Sequence, residues 1–182
     1  HSIGVFYRED GAPPMTQWAL GNSFNYMTSI SDLIFGGVLD RFPTLRIAFF
    51  EGGVGWVPFL MTRLHNQVQR GQQTEPNPRV LTSKGPEELP RSIASYFQQI
   101  YVAAISWESY LPHIAQMWPD HNIIIGSDFN HGDAVATWPN TTAPVLAMEG
   151  LSVEDTDRIL GGNAVRLLGF DRHPQRTPQG KS

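Results

Sequence analysis

Four short apolar runs, each leading into residues at helical spacing, constrain this chain more than any other feature. Residues 1–6 (HSIGVF) read as the end of a strand, and residues 45–50 (LRIAFF), 100–105 (IYVAAI) and 123–126 (IIIG) as buried strands. Their apolar character is too continuous for a sheet with one wet face. Met27, Ile30, Ile34 and Val38 repeat at helical spacing, and that helix should stop near Arg41 because Pro43 disfavours helix just before it. Trp56, Leu60, Met61, Leu64 and Val68 mark one face of a second helix, with Pro58 in its first turn, where a missing N–H costs nothing. A short helix is predicted over 90–98 and a third over 108–117, closed by Pro119. Ser152 and Asp155 form a capping-box pattern for a last helix ending at Gly161, after which Asn163 starts a further turn that Gly169 closes. The polar stretches 7–22 and 71–86 read as loops.

Strands alternating with helices imply an α/β fold with a parallel sheet under helical cover. Right-handed crossovers put every strand's C-terminal end on one side, where such folds carry out their chemistry. Those ends carry His1, Glu51, Ser106 with Trp107, and Asp128 with His131. Ionisable groups from separate strands thus converge on one face.

Composition narrows the chemistry. The 182 residues, 41% of them hydrophobic, suffice for one domain with a real core, read here as residues 1–170 followed by a flexible polar tail, 171–182. Thirteen basic against seventeen acidic residues give a net charge of −4, and the only lysines are Lys84 and Lys181. No basic cluster suggests a nucleic-acid surface, and no apolar run approaches a membrane span. No signal peptide is read at the start, and the absence of cysteine fits a cytoplasmic location. Without cysteine, a metal must be held by His, Asp or Glu, which favours zinc, manganese or a similar ion.

The segment NIIIGSDFNHGD, residues 122–133, is the most informative single stretch. An acid at the mouth of a buried parallel strand can bind a metal or move a proton, and Asp128 sits there. Asp128 as the cap of a following helix is the competing reading. Trp107 and Phe129 follow strand ends and could line a pocket, and Arg8 could pair with a substrate carboxylate. For Trp56, packing on its own helix is the better reading. His65 and His113 lie on helices and His121 in the turn before the fourth strand, and all three read as surface residues rather than ligands; the tail position of His173 argues against any role.

Three motifs resemble one family. Residues 40–64, DRFPTLRIAFFEGGVGWVPFLMTRL, are similar to a signature of the amidohydrolase-related proteins, in the aminocarboxymuconate-semialdehyde decarboxylase-like branch. IIIGSDFNHGD resembles that family's G-S-D-[YF]-P-H motif, and GGNAVRLLGF, residues 161–170, its closing N-A-x-R-[LF] helix. Order and spacing agree over roughly residues 30–170.

The resemblance implies a (β/α)8 barrel with its site at the C-terminal face of the strands. The four units match strands five to eight, so the chain is expected to be the C-terminal half of a TIM barrel. Strands one to four, with their metal-binding pair, are not in it. By the same resemblance, His1 stands at the strand-five metal ligand and Asp128 at the strand-eight acid that binds the metal and takes a proton. Glu51 takes a position that is often a catalytic His, with FEGG in place of His-Gly-Gly. His131 matches the motif's last His, a substrate contact or a supporting residue.

The implied cofactor is a divalent metal, zinc or manganese, and the implied chemistry is hydrolysis or non-oxidative decarboxylation of a small carboxylated or cyclic substrate. Two other classes stay open. One is an inert half-barrel that associates with its missing half, another chain or a second copy, since an open half leaves two sheet edges unpaired. The other is a small ligand-binding domain, which lacks the glycine-rich loop expected after its first strand.

Overall fold

The computed structural model describes residues 14–73, 89–105, 108–127 and 140–170. Three strands, β1 (Ile47–Phe49), β2 (Ile100–Ala104) and β3 (Ile123–Ile125), form a sheet in the order β1-β2-β3. Both pairings are parallel, with Ala48 opposite Tyr101 and Ala103 opposite Ile124. The predicted strand over 1–6 lies outside the described residues, as does the tail 171–182.

Side chains alternate across the sheet because the strand period is two. Phe49, Ile100, Val102, Ala104 and Ile123 face a large core that also holds Ile30, Ile34, Val57, Leu60, Leu64 and Leu111 from the helices. Tyr101, Ala103 and Ile124 face the other way, with Ala48, Ala164 and Leu167 against them. β2 is therefore buried on both faces, as its uninterrupted apolar run requires.

The helices are α1 (Pro14–Phe35), α2 (Val38–Arg41), α3 (Val57–Gln73), α4 (Ile93–Tyr96), α5 (Leu111–Met117), α6 (Ala143–Leu146), α7 (Val153–Asp157) and α8 (Asn163–Leu168). None of them, among the described residues, is long and apolar enough to cross a membrane. Several bounds correct the sequence reading. α1 begins at Pro14, inside the stretch read as a loop, because its polar residues find partners on a neighbouring turn. It ends at Phe35, and α2 restarts after Gly37, which adopts a left-handed φ of 67°. α3 runs on to Gln73, past the predicted loop start at Gly71. The third helix starts at Leu111 rather than at 108. Ser152 caps α7 as predicted, accepting the Asp155 N–H at 3.0 Å, but the helix does not stop at Gly161. A π-helical turn, Arg158–Gly162, carries it into α8, and Gly169 closes the run at φ 74°.

The N-terminal ends of the strands are tied by polar networks. Arg91 donates to Asp40 at 3.0 Å and to Gln99 at 2.9 Å, while Gln99 donates to the carbonyls of Phe42 and Leu45. Tyr96 donates to Asp40 at 2.8 Å, beneath the Arg91 guanidinium. His121, read above as a surface residue, is fully buried. Its Nδ1 accepts the Ile123 N–H and its Nε2 lies 3.2 Å from Asp155, so the neutral ring carries its proton on Nε2. Asn163 donates to the carbonyls of Ile123 at 2.7 Å and His121 at 3.1 Å, docking α8 on β3.

Burial depresses the His121 pKa, against the opposing pull of Asp155, and Asp155 is itself held low by Ser152 and His121 in spite of its own desolvation. A depressed histidine binds its proton more readily when unfolded. Its contribution is therefore complete above the unfolded value of about 6.5 and falls as pH drops below it. Urea midpoints should thus decline between about pH 7.5 and about pH 5 in the native chain. A His121→Gln variant should be weaker throughout and should lose this slope; an unchanged slope would assign it to other groups.

Candidate functional site at the strand ends

The C-terminal ends of β1 and β2 build one clamped turn. Residues 50–55, FEGGVG, leave β1, and their backbone groups are held by side chains from three segments. Tyr26 donates its hydroxyl to the Phe50 carbonyl. Asn22 donates to the Glu51 carbonyl at 3.3 Å, and Ser23 to the Gly52 carbonyl at 2.9 Å. Trp56 donates its indole N–H to the same Gly52 carbonyl at 3.0 Å while packing, half-buried, against the core. Gly52 is needed because a Cβ there would meet the Tyr26 ring at 2.6 Å.

Within this turn Glu51 is exposed and has φ 66°, the only described non-glycine residue in the left-handed region. Such a conformation costs on the order of 1–3 kcal/mol and persists only where the surroundings over-determine it. The hydrogen bonds above supply that determination. Burial, and secondarily the charge of Glu51, raise the Tyr26 pKa, so its phenol stays protonated and can keep donating to Phe50.

A second acid at this end escaped the sequence reading. The sequence predicts Glu108 as the first residue of a helix, but its side chain is turned in and only 2% of the residue is exposed. Oε1 accepts the Val54 N–H at 2.9 Å, the Gly55 N–H at 3.4 Å and the Tyr110 hydroxyl at 3.0 Å. Oε2 accepts the Ile105 N–H at 2.8 Å. The available signal was an acid three residues past a buried strand, with a glycine pair after the neighbouring strand.

Of the residues predicted for the site, Glu51 is at the mouth of β1 as expected. His1, Arg8, Trp107, Asp128, Phe129 and His131 lie outside the described residues. His65 and His113 are exposed, and His173 is outside the described residues. Among the described residues no group of three or more His, Asp or Glu could hold a metal ion. Glu51 and Glu108 do not form a ligand set, because Glu108 spends both oxygens on N–H and O–H donors.

Burial, then the charge of Glu108 and its hydrogen bond, push the Tyr110 phenol up to about 12. The raised value means the protonated phenol stabilises the fold fully below about 10, an effect lost as pH rises through about 12. Tyr26 and Tyr96 are also raised, so the late phenolate absorbance should lose one tyrosine's amplitude, its latest part, in Tyr110→Phe. In Glu108→Gln that phenol should ionise earlier, because the carboxylate charge that opposes ionisation is gone. An unmoved late titration would separate Tyr110 from Glu108.

Similarity to known proteins agrees with this architecture. The amidohydrolase family profile matches residues 11–170. The 2-amino-3-carboxymuconate-6-semialdehyde decarboxylase of Dictyostelium discoideum is 26% identical over 157 residues, covering 85% of this chain and 39% of that protein. Among solved structures, an amidohydrolase of Mycobacterium avium subsp. paratuberculosis K-10 is similar with a TM-score of 0.66 at 24% identity, over 87% of this chain and 37% of its own. A dihydroxybenzoic acid decarboxylase of Polaromonas sp. JS666, solved with manganese and the inhibitor 2-nitroresorcinol, gives 0.59 at 19% identity, over 85% and 42%. The chain thus spans about two-fifths of the length of these relatives. With a matched profile over most of its residues and three parallel strands joined through helices, the chain belongs to the amidohydrolase family.

Proposed function

We propose that this chain forms the strand-five-to-eight half of a (β/α)8 barrel enzyme, and that the enzyme is a metal-dependent carboxy-lyase acting on a small carboxylated unsaturated or aromatic acid. The observation that carries the site is Glu51, an exposed acid in a left-handed backbone conformation at a strand mouth, in a turn whose carbonyls four neighbouring side chains bond. Decarboxylation is favoured over hydrolysis because the curated relative that covers most of the chain is named a decarboxylase. Hydrolysis of a carbonyl or lactone is the second reading, supported by the family description.

In the favoured reaction the bond between the substrate carbon and its carboxylate breaks, carbon dioxide leaves, and the carbon takes a proton. Glu51 is the described group at the strand mouth able to hold that proton and deliver it. Asp128 is proposed as the second proton-handling acid and, with His1, as a holder of a divalent metal, zinc or manganese. Bound there, the ion would neutralise and orient the substrate's oxygens. His131, Phe129, Trp107 and Arg8 are proposed to contact substrate, Arg8 by pairing with a carboxylate. The strands that would complete the barrel are proposed to come from a preceding segment or another chain; a second copy would only cover the open sheet edges.

The test is an assay of the completed barrel, loaded with manganese or zinc. Carbon dioxide release is measured from dihydroxybenzoates and carboxymuconate semialdehydes, and acid release from lactones and esters. Glu51→Gln and Asp128→Asn should each lower carbon dioxide release roughly 100-fold or more while leaving the fold intact. Chelation should abolish it, and the metal should restore it. Acid release without carbon dioxide would select hydrolysis, and near-normal turnover in Asp128→Asn would reduce that residue to a helix cap.

A further inference from the structure

Glu108 gathers donors from three separate stretches of chain. Val54 and Gly55 belong to the turn after β1, Ile105 to the end of β2, and Tyr110 to the approach to α5. A buried carboxylate that satisfies two backbone N–H groups on one strand exit and one on the next fixes those exits relative to each other. The turn is shaped to admit it. Gly53 has φ +62°, and a Cβ there would sit 2.6 Å from Glu108 Oε1. Two residues before Gly53 stands Glu51, in the left-handed conformation. Asn22, Ser23 and Tyr26 hold the first half of the turn by its carbonyls, and Glu108 holds the second half by its N–H groups.

We propose that Glu108 is a positioning residue: by anchoring the N–H groups of Val54 and Gly55 to the end of β2, it keeps Glu51 in its left-handed conformation at the strand mouth. The consequence for activity rests on the reading of Glu51 as the proton-handling group, whereas the positioning itself does not. The rival account is a plain fold staple, whose loss weakens the whole sheet and leaves the local conformation of Glu51 as it was.

The full chain, isotope-labelled, separates the two. Backbone carbon shifts of Glu51 report its φ, and amide exchange reports Val54, Gly55, Ile105 and, as a reference within the sheet, Val102. In Glu108→Gln the side-chain amide must turn its N–H₂ toward one of the donors, so one arm of the clamp is lost. The Glu51 shifts should leave left-handed values, and exchange at Val54, Gly55 or Ile105 should rise about tenfold or more with Val102 unchanged. Unmoved Glu51 shifts, or exchange rising equally at Val102, overturn the proposal. If Glu108→Gln does not fold, Tyr110→Phe removes a single donor from the same oxygen. A smaller shift of Glu51 in the same direction then supports the proposal, and an unaltered Glu51 refutes it. No readout depends on turnover, so failure of this test and failure of the proposed reaction are distinguishable.

Discussion

Strand β2 is the element on which the rest is hung. It is the middle of the three parallel strands and is buried along its whole length. Burial of side chains such as Ile100 and Val102 is worth roughly 1.5–3 kcal/mol each. Both neighbours take their register from it, and α1, α3 and α5 pack on one of its faces while α8 packs on the other. A parallel strand in this position forces crossover connections, and these place all the strand exits at one end.

The two ends of the sheet are built for different tasks. At the N-terminal end the polar side chains bond one another and the carbonyls beside the strand beginnings. Asp40, Arg91, Tyr96 and Gln99 close one network, and His121, Asp155 and Asn163 close another, each tying helices to strand beginnings. At the C-terminal end most of the bonds converge on the turn after β1, and the acid carried by that turn is left exposed. Groups whose bonds hold a strained residue in place, without covering it, are the signature of pre-organisation rather than of packing. In parallel α/β folds chemistry belongs to the strand C-termini.

The family motifs map onto this division. FEGG forms the clamped turn, with one glycine admitting the Tyr26 ring and the next admitting the Glu108 carboxylate. The closing N-A-x-R element contributes Asn163, whose side-chain amide reaches two carbonyls of the 121–123 segment, while Arg166 donates in turn to Asn163. A motif residue can thus be structural, as Asn163 is.

The sequence by itself determined the three described strands to within two residues at either end, their parallel class, the Ser152 cap, the Gly169 stop and the place of Glu51. Each of these follows from local information: apolar runs, helical spacing, and short-range side-chain chemistry. Tertiary structure alone decided the rest. Polar residues in the first turns of α1 are helical because Asn22, Ser23 and Tyr26 find carbonyls well over twenty residues away. His121 is buried because Asp155 and Asn163, distant in the chain, pair with it. Glu108 leaves its helix start because four N–H and O–H donors, two of them more than fifty residues earlier, converge on one carboxylate. Such partnerships have no periodicity to read; they exist only once the sheet has brought the strand ends together.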